Sequence, residues 1–292
     1  MKKKNRTDFL IELLKDNDSG VSSQAMCELL KLDTEPDSGE LSGILADLQE
    51  TDEKSLRKKI HQMQAILKIR RRRASFIKRL NSPAPSMLQG LAELYAIWYD
   101  EIDTTEISKM WSTVVREAGK YRPVTPYRLA SAMKSLGFGI LNENIQDADL
   151  YCLGTVLEER TGAPVLLAAV ALEIGRCFGL RGTIVRADGE FGIMYVTTLS
   201  SAGESTMNEL RGVIVMPSRK WKVIPASDAM NTEIWSTGHV LRYAASMLFV
   251  NAVCSEGPRT IQVLASCLLG KRADSPLSEF LPYPFGKAVS EK

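Results

Sequence analysis

The chain has 292 residues, enough for two or three compact units, with 45% hydrophobic and 25% charged residues, as expected of a water-soluble globular protein. Its net charge of +2 names no partner class. Five cysteines (Cys27, Cys152, Cys177, Cys254, Cys267) without a CxxC spacing, and only two histidines (His61, His239), argue against a structural zinc site and fit a reducing compartment. No metal or cofactor is expected. The basic start, Lys2 to Lys4, is followed by Asp8 and Glu12 rather than by an apolar stretch, so it does not read as a signal peptide. The longest apolar run, 163–172, is too short to span a bilayer, so a cytoplasmic protein with no membrane partner is expected.

Charge divides the chain. Residues 1–53 carry 6 Lys and Arg against 13 Asp and Glu, whereas 54–80 carry 11 Lys and Arg and no acid. The first 80 residues therefore read as a separate helical unit. Phe9, Leu10, Leu13 and Leu14 predict an apolar helical stripe, followed by short helices over 22–32 and 40–49 with a loop at 34–39. A long helix is predicted from Leu56, Ile60, Met63, Leu67, Ala74 and Ile77. Such short antiparallel helices resemble HEAT-like pairs, although no repeat is evident.

Pro83 and Pro85 mark a linker. Helices are predicted over 86–100 and 105–119. A third starts at Thr125-Pro126, a cap followed by a first-turn proline, and ends at Gly137. Residues 149–160 predict another helix. Pro164 then opens a very apolar one that Gly179 stops. Strands are predicted over 183–185, 192–198, 212–216 and 221–224, with turns at Asp188-Gly189 and at 217–220. Helices return over 233–254 and 258–269, before a loose tail. Helices followed by an antiparallel sheet predict an α+β core.

The segment 147–196 carries a resemblance. Val156-Leu157-Glu158-Glu159-Arg160, Gly162-Ala163-Pro164-Val165, Arg176-Cys177-Phe178-Gly179-Leu180, Gly189 with Phe191, and Val215-Met216-Pro217 follow one another in an order similar to the bacterial SirB-type transglutaminase-like family. The resemblance implies a papain-like core over about 86–225, a helical unit before it (1–80), and C-terminal helices with a tail over 226–292. In that family a nucleophile at the first turn of the apolar helix, a histidine on the next strand and an aspartate on a later one form the active site. The resemblance puts those positions at Leu166, Glu190 and Met216, so a degenerate triad is implied. Shifting the alignment by one residue gives Val165, Leu167, Gly189, Phe191, Val215 or Pro217, which are no better suited to proton transfer.

Other candidates are weighed against plainer readings. Cys152 or Cys177 with His239 would be a new dyad. A helix C-terminus raises a thiol pKa, however, and Cys177 reads as a packed small hydrophobe. Glu190 could anchor a cationic ligand group but reads first as a solvent-facing turn residue. The basic segment suggests contact with nucleic acid or an acidic partner through Arg70, Arg71, Arg72, Arg73, Lys78 and Arg79. Consecutive arginines spread around a helix at about 100° per residue, and no aromatics alternate with them to stack bases. Pairing with the acidic 1–53 region is the simpler reading. The sequence therefore points to an inactive transglutaminase-like protein that binds an unidentified protein or peptide. Nucleic-acid association, or an enzyme with relocated thiol chemistry, are the alternatives.

Overall fold

The computed structural model describes residues 3–32, 40–49, 53–99, 104–141, 147–196, 212–255 and 257–269. The expected loop at 34–39 and the expected tail at 270–292 lie outside the described residues. The chain divides into two compact units, Met1–Ser75 and Phe76–Lys292.

The first unit is helical: α1 (Lys3–Leu14), α2 (Ser19–Leu32), α3 (Glu40–Leu48) and most of α4 (Lys54–Leu80). Leu10 and Leu14 sit one helical turn apart and meet Leu29, Leu45, Leu56, Ile60, Met63 and Leu67 in one core. Phe9, expected in that stripe, is instead 59% exposed, because the buried arc of α1 centres on Leu10 and Leu14. The basic character of α4 has a local use. Lys59 Nζ donates to the carbonyl oxygens of Leu14 (2.8 Å) and Asp16 (3.2 Å), and Arg70 Nη1 donates to that of Leu30 (2.7 Å). These acceptors belong to the C-terminal ends of α1 and α2, where carbonyls lack intrahelical partners and the helix dipole favours a cation. Arg71 adds a bond to the Ser42 hydroxyl.

In the second unit, the last turn of α4 contributes Phe76 and Leu80 to the core, with the expected Ile77 packed against it. α5 (Met87–Trp98) is capped by the Ser86 hydroxyl, and α6 (Thr104–Gly119) follows. α7 (Pro126–Ser135) begins with the expected Thr125 cap and ends near Gly137, whose φ of 82° suits glycine. The single helix predicted over 149–160 is two elements: a 3-10 turn, Ala148–Tyr151, and α8 (Leu153–Glu159). Cys152 is extended between them, and the Asp147 side chain caps the first by accepting from the Asp149 amide.

α9 (Pro164–Cys177) is the centre of this unit. Ten of its residues are buried, so it is apolar around its whole circumference. Against it lies a five-stranded antiparallel sheet of β1 (Thr183–Ala187), β2 (Glu190–Val196), β3 (Gly212–Met216), β4 (Lys222–Pro225) and β5 (Thr232–Trp235). The strand order is β4-β3-β2-β1-β5. The β1–β2 turn uses Asp188 and Gly189, both with positive φ, as a tight hairpin requires. α10 (Thr237–Cys254) and α11 (Pro258–Leu269) join the same core as α9. Gly90 lets α5 and α10 approach closely, since a Cβ there would sit 2.5 Å from Leu241 Cδ1. The helix predicted to start at 233 starts later: Thr232–Trp235 pairs with β1, and the Ser236 hydroxyl caps α10 by accepting from the His239 amide. Among the described residues, no helix is long and apolar enough to cross a membrane.

The two sheet faces are chemically distinct layers. Ile184, Phe191, Ile193, Tyr195 and Val215 belong to the core that holds α9. Val185, Ala187, Met194, Ile214, Met216 and Ile224 form a separate apolar cluster, as the two-residue pleat demands.

Candidate functional site

The start of α9 is fixed by its sequence. Pro164 presets the first turn, and Gly162 allows the preceding backbone to lie against Val156, where a Cβ would come within 2.7 Å. The Ala163 amide donates to the Leu150 carbonyl at 2.9 Å. Leu166, in that first turn, has no exposed surface. The helix end that would favour a thiolate or alkoxide therefore presents a buried hydrocarbon side chain.

The structure does not bring Leu166, Glu190 and Met216 together. Leu166 lies in the core around α9, and Met216 lies in the cluster on the other sheet face. Glu190 precedes Phe191 in β2, so the pleat points it away from Phe191 and the α9 side. The strand residues on the α9 side are Phe191 and Val215, one residue away from the positions the resemblance gave. Strand register decides this, because a shift of one residue exchanges the faces. In either register the residues are Leu, Phe and Val or Leu, Glu and Met, and neither set combines a nucleophile with a base.

Glu190 is occupied within its own chain. Its carboxylate accepts from Arg219 Nη2 (2.9 Å) and Nε (3.2 Å), and from the Ser218 hydroxyl. The Arg219 guanidinium, then the Ser218 hydroxyl, holds its pKa below the usual value. The cation it binds is thus Arg219 of the 217–219 turn. Sequence reading missed this pair; the basic turn Pro217-Ser218-Arg219-Lys220 was the available signal.

Phe191 fills the neighbourhood of the strand start with aromatic surface. Its ring lies 4.7 Å from Trp235 and 5.3 Å from Tyr243, and Tyr243 lies 6.4 Å from Tyr151. Burial, then the neighbouring Tyr243, pushes the Tyr151 hydroxyl up to about 12. Beside this cluster, the Tyr99 hydroxyl donates to Asp149, and Cys152 is fully buried. Burial, then the Asp149 and Asp147 carboxylates, drives the Cys152 thiol well above its usual range. That is the reverse of what activates a cysteine.

Cys177 is exposed, which corrects the expectation of a packed residue: it closes α9 beyond the buried stretch. Burial and Glu173 still raise its thiol pKa. His239 stands in the first turn of α10 with its ring 6.2 Å from Trp235. Among the described residues, no group of three or more His, Cys, Asp and Glu side chains could hold a metal ion.

The basic segment is largely committed to its own chain. Arg70 and Arg71 bond within the first unit, and Arg79 makes a two-pronged pair with Glu93 (2.9 and 2.7 Å) and bonds Gln89. Arg72 is also engaged, and Arg73 is half-buried, leaving Lys78 as the exposed one of the six. Lys68 is exposed as well, and on the N-terminal half of α4 the exposed Lys54, Arg57, Lys58 and His61 share one face.

Residues 105–217 match the transglutaminase-like superfamily. The matched region runs from α6 through β3 and contains Leu166, Glu190, Phe191 and Met216. No curated protein and no solved structure matches the chain. The transglutaminase-like region thus provides the helices and sheet on which the catalytic positions of such a domain would be built.

Proposed function

We propose that the chain is a catalytically inactive, SirB-type member of the transglutaminase-like superfamily that works by binding a protein or peptide. The observation carrying this reading is Leu166, fully buried in the first turn of α9, with Phe191 and Val215 on the facing sheet layer. A nucleophile and its base have no atoms to act with there. The raised thiol of Cys152 speaks against relocated cysteine chemistry. Two assays test the two halves. Amine incorporation into glutamine peptides and peptide hydrolysis should stay at the level of heat-denatured protein; turnover would end the claim of inactivity. A peptide array probed with the full chain should give saturable binders, and an array without any would end the claim of binding.

A second reading, nucleic-acid association, draws on the exposed α4 face of Lys54, Arg57, Lys58 and His61. It predicts retention on duplex DNA that falls steeply with added salt. Retention insensitive to salt, or none, leaves the first reading.

A further inference from the structure

A cavity of about 710 Å³ opens in the second unit where the 82–85 loop, the end of α9 and the start of α10 meet. Its lining includes none of Leu166, Glu190, Phe191, Val215 and Met216. Its walls are of two kinds. Leu80, Pro83 and Pro85 form an apolar side stiffened by the two prolines, and Arg176, His239 and Arg242 form the other. Among the described residues, no Asp or Glu lines it.

The charges are arranged for a guest. Arg176 spends one terminal nitrogen, Nη1, on Glu173, and among the described residues its Nη2 and Nε donors bond nothing else. The Arg242 guanidinium makes no hydrogen bond or ion pair among the described residues. His239 and Arg242 are three residues apart on α10, so one helical face carries both. Glu173 offsets part of the charge of Arg176, but Arg242 has no such partner among the described residues, so the two guanidiniums leave this space with excess positive charge that an anion would neutralise. The start of an 18-residue helix adds positive potential in the same direction.

We infer that this cavity binds a phosphorylated small organic molecule. The phosphoryl group lies between Arg176, Arg242 and His239, and the organic part lies against Leu80, Pro83 and Pro85. A phosphate monoester carries a charge of about −1.5 to −2 near neutrality, which matches two guanidiniums better than a monocarboxylate does. Arginine forks also fit phosphate oxygens in pairs. The volume lies within the usual span of small-molecule sites, roughly 300–1,000 Å³. Sequence patterning offered only the His239–Arg242 spacing as a signal.

The test is isothermal titration of the full chain at low ionic strength with four probes: phenyl phosphate, inorganic phosphate, diphenyl phosphate and benzoate. Phenyl phosphate should bind saturably at one site. The other three should bind at least about tenfold more weakly, because each lacks either the second charge or the organic body. Arg242→Ala and Arg176→Ala should each weaken phenyl phosphate about tenfold or more, with an unchanged melting profile, since both side chains are exposed. Arg128→Ala, on the exposed side of α7, should leave binding unchanged. Absence of saturable binding, equal affinity for benzoate or diphenyl phosphate, or affinity that survives both arginine substitutions overturns the proposal. Equal affinity for inorganic phosphate overturns the role given to the apolar wall.

Discussion

Two helical glycines should respond to alanine in opposite directions. Gly43, exposed within α3, has nothing within 4 Å of an added Cβ. Gly43→Ala should therefore stabilise the first unit by about 0.5–1 kcal/mol through helix propensity alone. Gly154 in α8 faces Tyr95, where an added Cβ would lie 2.2 Å from Cε1, 2.3 Å from Cζ and 2.6 Å from the hydroxyl oxygen. The ring cannot swing aside cheaply. It is 7% exposed and stands edge-on to Tyr99 at 5.1 Å. Overpacking of this kind costs up to about 3 kcal/mol. Subtracting the helix gain of about 1 kcal/mol leaves Gly154→Ala destabilising by about 2 kcal/mol. For a unit of this size the melting point should fall by roughly 4–8 °C. The four tryptophans, Trp98, Trp111, Trp221 and Trp235, all lie in the second unit, so their fluorescence in a guanidinium titration reads that unit alone. Far-UV circular dichroism reads the first unit as well, where Gly43→Ala should raise the midpoint. A fluorescence midpoint that rises with Gly154→Ala would refute the packing described for Tyr95.

Other substitutions probe single bonds. Trp221 Nε1 donates to the buried Phe138 carbonyl at 2.6 Å, so Trp221→Phe should cost about 1–3 kcal/mol by orphaning that oxygen, seen as an earlier urea midpoint. Lys59→Met keeps the apolar stem but removes the ammonium from the ends of α1. It should cost about 1 kcal/mol in the first unit while the tryptophan midpoint stays fixed. Glu190 should titrate by NMR below its ordinary value of 4.5. Its pairing then contributes stability above that value and loses it as pH falls through the depressed one. With side chains 36% and 41% exposed, the contribution should stay under about 1 kcal/mol, and a midpoint at or above 4.5 would contradict the Arg219 pairing.

Local signals located most of the fold. Pro164 and Gly179 bracket α9, Thr125-Pro126 starts α7, and Asp188-Gly189 turns β1 into β2, because each acts through backbone geometry within a few residues. β5 escaped notice because Thr232–Trp235 is four residues long and runs directly into the Ser236 cap of α10. Cys152 splits the 149–160 stretch through bonds made by Asp147 and Tyr99, which helical periodicity does not record. The candidate site was legible as chemistry but not as geometry. That Leu166 cannot attack a carbonyl follows from its identity alone. That Met216 and Glu190 leave the α9 side follows only from the pairing of Ile193 with Val215 and the pleat around it. Likewise, the basic run of α4 read first as pairing with the acidic 1–53 region and second as a surface for a partner; that Lys59 and Arg70 reach backbone carbonyls, 45 and 40 residues away, is not recorded by the charge pattern.

That distance sets a schedule for synthesis. α2 leaves the ribosome with its last carbonyls open, and the Arg70 that closes them is 40 residues behind Leu30. At about 5–20 residues per second that wait is roughly 2–8 s, whereas helices form within about a microsecond. The nascent first unit therefore spends seconds as helices that form and fray, and it becomes durable only when the arginine-rich part of α4 arrives. A stall or truncation between Lys59 and Arg70 would release a chain in which the end of α1 has its cation and the end of α2 does not.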